Sequence, residues 1–352
     1  MPEQSPAKPT VVVTTAGSAP TPGTILHLRG SGFRVVATDM DPAAPGLYLS
    51  DRGYLVPGGA SDAFLPRMRD LCAREGAVAV VPLVDEELVP IAALAEDGVC
   101  VLLPRPEFVR TCLDKAVLMR RLDEAGIGVP RTWSAEEWPS GAAASPGGFV
   151  VKPRTGRGSR GVAVAHSPEE VSRVLSESGY AADDLIVQER IAGPEYTVSV
   201  VVWRDGEVQA VVPKEVVLKE GVTRYAVTRR VPEVAAVCRR VQQALRADGP
   251  FNVQLCLDSE GRPRIFEINP RFSSTTALTG ASGVDEVAGL LRQALHGGPR
   301  LTDDWHEGVA LVRRWADEFI SEEEFTSHGL SPAPAGTSPI TAADAAVRAG
   351  IQ

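Results

Sequence analysis

Short, unbroken apolar runs separated by turn residues fill the first hundred positions of the chain. Val11, Val12 and Val13 lead into the small polar stretch 14–17, Pro22 and Gly23 open a helix-like segment, and Val35, Val36 and Ala37 end at Asp39. Runs at 55–57, 78–82 and 99–103 continue the alternation. Strands that read as continuous Val and Leu are buried on both faces, so the pattern predicts a small parallel sheet covered by helices on either side. Beyond residue 108 the period changes. Asp114 and Lys115 start an amphipathic helix with Leu118, Met119, Leu122 and Ala125 on one face, stopped by Gly126 to Pro130. Residues 134–148 form a Pro-, Gly- and Ala-rich connection; 149–153 and 162–164 then flank a glycine-rich tip as a β-hairpin. Ser167 caps a helix over 167–178, with Glu170 at capping-box spacing. Strands at 185–189, 195–203, 208–212, 251–257 and 263–269 are expected to form one mainly antiparallel sheet, turning at Asp205-Gly206 and at 258–261, with a helix over 234–245 beside it. After about residue 298 the periodicity fades, and 331–341 has a composition too rich in Pro, Ala and Ser to require order.

Candidate chemistry collects in four places. In the strand 263–269, alternation puts Glu267 and Asn269 on one face about 7 Å apart, and Gln254 on the preceding strand can add a third oxygen. Magnesium takes oxygen ligands and shares its shell with phosphate and water, which suits a Glu and an amide oxygen. Ile265 is expected to share the face of Glu267, and a carboxylate beside it in a strand bounded by Phe266 and Ile268 is expected to be partly buried, costly unless paired or metal-bound. Arg271 supplies a planar fork of donors for a phosphate or acyl-phosphate. The second place is Lys152 with the loop through Gly156, Gly158, Ser159 and Gly161, where absent Cβ atoms let backbone N–H groups approach phosphate oxygens. It lacks the G-K-[ST] ending of a P-loop, and a mobile surface turn is the competing reading. Third, 188–198 turns at Gly193-Pro194 and offers a backbone edge between apolar walls of the kind an adenine needs, with Glu195 placed to accept from ribose hydroxyls. Fourth, Asp85, Glu86 and Glu87 follow the fourth apolar run. They either face a substrate at the carboxyl end of the sheet or form a solvated acidic first turn. The stretch 14–18 lacks G-x-G-x-x-G, so no dinucleotide is expected.

Taken in order, Asp114-Lys115, Lys152 with its loop, Gln188-Glu189 with Gly193-Pro194-Glu195, Asn252-Val253-Gln254 and Glu267-Ile268-Asn269-Pro270-Arg271 resemble the ATP-grasp superfamily. The likeness is to single-module relatives of the carbamoyl-phosphate synthase large chain and covers roughly residues 11–291. It implies an α/β and α+β fold: a Rossmann-like N-terminal domain over 1–107, then an ATP-grasp domain over 108–300 with a small lobe at 131–190 and a central lobe at 191–300. A C-terminal segment, partly disordered, occupies 301–352. It also implies roles. Lys115 and Lys152 touch ATP phosphates or adenine, with Gly156, Gly158, Ser159 and Gly161 covering the phosphates. Gln188, Glu189 and Ile191 line the adenine pocket and Glu195 holds the ribose. Gln254, Glu267 and Asn269 ligate Mg2+, for which Mn2+ can substitute; Arg271, Lys152 and Glu267 form the catalytic set. The stretch 213–230 is the expected substrate-facing segment, with Lys214, Arg230 and Arg271 as substrate residues, against the alternative of a solvated basic face.

The implied activity is an ADP-forming carboxylate-amine ligase working through an acyl-phosphate on an amino acid, with a small-molecule carboxylate and amine as partners. Carboxyphosphate or carbamate chemistry, and a nucleotide-binding module without turnover, are the alternatives. A single ATP-grasp unit argues against complete carbamoyl-phosphate synthesis. Composition narrows the rest. The formal charge of −9, without a Lys/Arg run, argues against a nucleic-acid partner. No stretch approaches the roughly 20 apolar residues of a membrane span and the N-terminus has no signal-peptide core, so a cytoplasmic protein is expected. Five scattered cysteines without a C-x-x-C pair fit reduced, mostly buried thiols. A homodimer is left open.

Overall fold

The computed structural model describes residues 7–139, 142–314 and 316–327. The Pro/Ala/Ser-rich segment 331–341 expected to lack order, and part of the connection at 134–148, lie outside the described residues. The N-terminal runs form a five-stranded parallel sheet of β1 (Thr10–Val13), β2 (Arg34–Asp39), β3 (Arg52–Leu55), β4 (Ala77–Val81) and β5 (Cys100–Val101), in the order β3-β2-β1-β4-β5. The third run enters its strand three residues earlier than its apolar residues suggest, and the fifth pairs over only two residues. Val11, Val13, Val35 and Ala37 pack on one face of the sheet and Val12, Val36 and Val80 on the other, which accounts for the continuous apolar runs. The turn after β1 approaches the following segment so closely that a Cβ at Gly46 would stand 2.6 Å from the carbonyl oxygen of Ala16. Glycine is required there.

The remaining strands divide into two sheets, and 185–189, which alternation alone grouped with the strands from 195 to 269, joins the sheet of the glycine-rich hairpin instead. β6 (Thr132–Ser134), β7 (Phe149–Pro153), β8 (Ala163–Ala165) and β9 (Leu185–Glu189) form a four-stranded antiparallel sheet in the order β6-β9-β7-β8. Its small core packs Trp133 and Trp138 edge-on around Phe149. β10 (Glu195–Trp203), β11 (Glu207–Glu220), β12 (Val222–Thr228), β13 (Phe251–Leu257), β14 (Pro263–Asn269) and β15 (Ala310–Val312) form a six-stranded antiparallel sheet in the order β14-β13-β10-β11-β12-β15. Gly193 and Pro194 separate β9 from β10, and this break directs the two strands into different sheets. The stretch 213–230 is therefore mostly the β11–β12 hairpin, and the weakly patterned C-terminal segment contributes the edge strand β15.

Two apolar clusters fix these parts relative to one another. Helix Glu286–His296 inserts Val287, Leu290 and Leu291 between the N-terminal sheet and Val201, Ala210 and Val212 of β10 and β11. Helix Pro232–Leu245 packs Val234, Val237, Cys238 and Val241 under β10, β13 and β14.

Candidate active site

The cleft between the N-terminal sheet, the four-stranded sheet and the six-stranded sheet has a volume of about 580 Å³. Its floor is set by an irregularity in β14. Gln254 pairs with Glu267 but Leu255 pairs with Ile265, so Phe266 is an extra residue. Such a bulge turns the chain by one residue. Ile265 and Ile268 enter the core while Phe266, Glu267 and Asn269 line the cleft. The expectation that Ile265 shares the face of Glu267 is corrected by this bulge, a feature the alternation rule cannot anticipate.

Lys152, on β7, is buried and reaches across to the other sheet. Its Nζ donates to Gln188 Oε1 at 2.9 Å and to the Phe266 carbonyl at 3.2 Å, above the Phe266 ring. Burial lowers its pKa to about 8, against the opposing pull of Glu267 and with the help of the neighbouring cations Lys115 and Lys219. Gln188 completes the chain by donating to Thr132 Oγ1 at 2.9 Å. Lys115 opens helix Lys115–Glu124, whose N-cap Asp114 accepts from Ala116 and Val117 and is gripped by Arg154 at 2.7 Å. That anchoring delivers Lys115 Nζ to the Gly156 carbonyl at 2.7 Å and to 3.9 Å from Glu267 Oε1.

The glycine-rich loop holds Gly156, Gly158, Ser159 and Gly161 at positive φ, and at Gly156 and Gly158 a Cβ would meet nothing within 4 Å. The glycines there serve backbone conformation and leave open space on the cleft side. Arg157 Nε pairs with Glu86 Oε2 at 2.7 Å, tying the loop to the N-terminal domain. Glu189 stands 3.8 Å from Arg131, Ile191 lines the cleft, and Glu195 accepts from Lys219 at 2.8 Å. Lys219 also donates to Gln254 Oε1 at 3.2 Å. The sequence offered Lys219 only as one cation in the stretch 213–230; the register shifts of β11 after Val216 leave no alternation from which its direction follows.

Arg271 donates through Nε to Asp85 Oδ1 at 2.8 Å, through Nη1 to the Phe272 carbonyl at 3.2 Å and through Nη2 to Asn269 Oδ1 at 3.1 Å. Glu87 is not solvated. It is buried, and its carboxylate accepts from the Thr14 hydroxyl and from the backbone of Leu83 and Val84. Burial raises its pKa to about 7 despite those bonds.

Two expected substrate residues stand outside the cleft. Lys214 pairs with Thr197 and so shares the face of the six-stranded sheet that Thr197 and Gln254 turn to the cleft, but it is fully buried beside the cleft and donates to Ser199 Oγ at 2.7 Å and Thr279 Oγ1 at 2.8 Å. Arg230 lies over the Trp305 ring and donates to the Trp305 carbonyl. Around Lys214, serine and threonine hydroxyls take the place of solvent. Gln254, Glu267 and Asn269 bring three side-chain oxygens to the cleft floor; among the described residues no three His, Cys, Asp or Glu side chains gather.

Residues 181–314 match the family model "ATP-grasp in the biosynthetic pathway with Ter operon", and residues 20–99 match "PylC-like, N-terminal domain". Over 283 residues the chain is 24% identical to the formate-dependent phosphoribosylglycinamide formyltransferase of Ignicoccus hospitalis, covering 73% of this chain and 68% of that one. It is 26% identical over 281 residues to the carbamoyl phosphate synthase large chain of Bifidobacterium longum, covering 71% of this chain but only 24% of that much longer one. In three dimensions it superposes on the L-amino acid ligase of Bacillus licheniformis with a TM-score of 0.65 at 16% identity, over 83% of this chain and 75% of that one. The chain thus carries an ATP-grasp family match, a family of ADP-forming ligases, over residues 181–314 and a PylC-like N-terminal domain match over residues 20–99.

Proposed function

We propose that the chain is an ATP-dependent ligase joining the carboxylate of an amino acid to an amine through an acyl-phosphate. The observation that carries the reading is the concentration of cations in one cleft of an acidic protein. Lys115, Lys152, Lys219, Arg157 and Arg271 line the same cavity, with Glu267 the carboxylate on its floor. Such a site binds polyanions and stabilises charge that develops during phosphoryl transfer.

In this assignment Lys115, Lys152 and the backbone of 156–161 receive the phosphates, Glu189 and Ile191 the adenine, and Glu195 the ribose. One carboxylate and two amide oxygens fit magnesium, which takes its other ligands from phosphate and water, so Glu267, Asn269 and Gln254 would hold it. When bound, it would neutralise phosphate charge. The substrate carboxylate attacks the γ-phosphorus and ADP leaves; the amine then attacks the acyl carbon and phosphate leaves, with the ammonium proton released to solvent. Arg271 faces the carboxylate and then the acyl-phosphate, and no side-chain nucleophile is required. Lys152, already desolvated, contributes a fixed positive charge whose pKa a bound phosphate would raise again.

The test is ADP release with amino acids offered singly and in pairs. Stimulation by at least one pair above the ATPase background is expected, and its absence across the panel removes the amino-acid reading. The kinship with carbamoyl phosphate synthase favours carboxyphosphate chemistry as second reading; release that depends on bicarbonate and on no amino acid would select it.

A further inference from the structure

We infer that Asp85 and Arg271 act together as a reader of zwitterions, Arg271 taking the carboxylate and Asp85 the α-ammonium of the amino-acid substrate. This rests on the ligase reading and adds to it that the N-terminal domain selects the substrate. β1 and β4 are the neighbouring strands at which the order of the parallel sheet reverses, so their carboxyl ends open a crevice. Ser18 and Ala19 after β1 and Leu83 and Val84 after β4 line the cleft also lined by Arg271 and Ser274. Asp85 follows directly and joins Arg271 from the other domain, with side chains only 10% and 13% exposed. Arg271 lines the cleft and Asp85 stands directly behind the lining residue Val84; an ion pair so far desolvated is a poor source of stability, which points to a role in binding.

The pair is also incompletely used. Asp85 accepts from Arg271 through Oδ1, and no described residue donates to its Oδ2. Arg271 directs three of the five N–H bonds of a guanidinium to Asp85, Phe272 and Asn269, leaving one on each terminal nitrogen. A negative acceptor and two positive donors therefore stand side by side, the complement of an ammonium and a carboxylate on one carbon. The adjacent acids are committed elsewhere, Glu86 to Arg157 and Glu87 to Thr14.

The experiment measures ADP release by the full chain with ATP and magnesium. It sets L-alanine against propionate, L-leucine against 4-methylpentanoate and L-glutamate against glutarate, each with the same pool of amino-acid amides as the amine, which bring no α-carboxylate of their own. A wild-type preference for the ammonium-bearing acid of at least about 10-fold in kcat/KM is expected, from the strength of one charged hydrogen bond. In Asp85→Asn the KM for that acid rises about 10- to 100-fold while the KM for its deaminated counterpart moves less than about 3-fold, collapsing the selectivity. Equal use of both acids by wild type, or selectivity unchanged in Asp85→Asn, overturns the inference and leaves the ligase reading standing. Should Asp85→Asn fail to fold, Asp85→Ser is read in the same way, and equal use of the two acids by wild type overturns the inference whatever the variants do. No stimulation by any carboxylate removes both.

Discussion

Lys214 was expected from the sequence to contact substrate, and its position makes it a test of where function ends and architecture begins. Its Nζ is held by Ser199 and Thr279, and the same two hydroxyls and Thr276 surround Glu286, which accepts from Ser199 at 3.0 Å and from Thr276 at 2.6 Å. Burial lowers the Lys214 pKa to about 8 and raises that of Glu286, with each charge partly rescuing the other. In Lys214→Met, Glu286 loses its counter-charge and must either remain ionised in the core or take up a proton. Taking up a proton at pH 7.5, three units above an ordinary Glu value of 4.5, costs about 4 kcal/mol. Relief of the buried ammonium offsets part of this, about 3 kcal/mol for a pKa moved from 10.5 to about 8. The loss of two charge-assisted hydrogen bonds adds about 3 kcal/mol or more. A net destabilisation of about 4 kcal/mol follows, in the range seen when one partner of a buried pair is removed. The sign with pH is fixed: a carboxyl whose folded pKa is raised stabilises below its unfolded pKa and loses that contribution as pH rises through the folded one. The deficit of Lys214→Met therefore shrinks on going from pH 7.5 toward 5.5. Adding Glu286→Gln, whose amide oxygen still accepts from Ser199 and Thr276, recovers stability to within about 1 kcal/mol of wild type. Urea unfolding of the two variants at both pH values measures this, and substrate KM is expected to stay within about 2-fold. A wild-type urea midpoint combined with a KM raised more than about 10-fold would refute the structural role and return Lys214 to the substrate.

Two further predictions concern carboxylates. Glu267→Gln keeps one oxygen but removes the formal charge on the cleft floor, so magnesium-dependent ADP formation should fall at least about 100-fold, checked by titrating Mg2+ at fixed ATP; unaltered turnover at limiting Mg2+ sinks the metal assignment. Glu87, with a pKa raised to about 7 by burial, gives wild type a stability that declines as pH rises from 4.5 to 7. Glu87→Gln should be flat there, gaining up to about 3 kcal/mol relative to wild type across that window in urea midpoints measured at pH 4.5 and 8; parallel curves for the two proteins would show that Glu87 is not buried as an acid.

Much of the fold was legible because burial on two faces leaves continuous apolar runs and burial on one leaves alternation. Residues 149–153, 185–189, 251–257 and 263–269 are strands over the spans read from the sequence. What alternation cannot report is which strands share a sheet, or where a ladder slips. β9 and β10 look alike in sequence and enter different sheets, and the bulge at Phe266 takes Ile265 off the face of Glu267 while Gln254 stays opposite it. In the cleft, glycine spacing and the Glu267 to Arg271 segment were visible because local backbone chemistry demands them. Asp85 and Glu86 were visible only as members of an acidic run with two readings and Lys219 as one cation among several, because their roles depend on contacts made at separations of 24 to 186 residues. Lys214 and Arg230 show the converse, cations whose types suggest a ligand but which tertiary packing commits to Ser199 and to Trp305.

The three successive acids at the start of helix Asp85–Ile91 receive three different fates from one turn of backbone. Glu87 points inward and fastens the turn to Thr14, Leu83 and Val84 on the ends of β1 and β4. With the backbone fixed there, side chains 100° apart on a helix must leave in different directions. Glu86 meets Arg157 of the glycine-rich loop and Asp85 meets Arg271 beyond β14. The loop and the strand end belong to different lobes, so the N-terminal domain touches both walls of the cleft through adjacent residues. A ligand that competes for Arg157 and one that competes for Arg271 would then act on the same rigid turn, and substrate and nucleotide binding become coupled without either contacting the other.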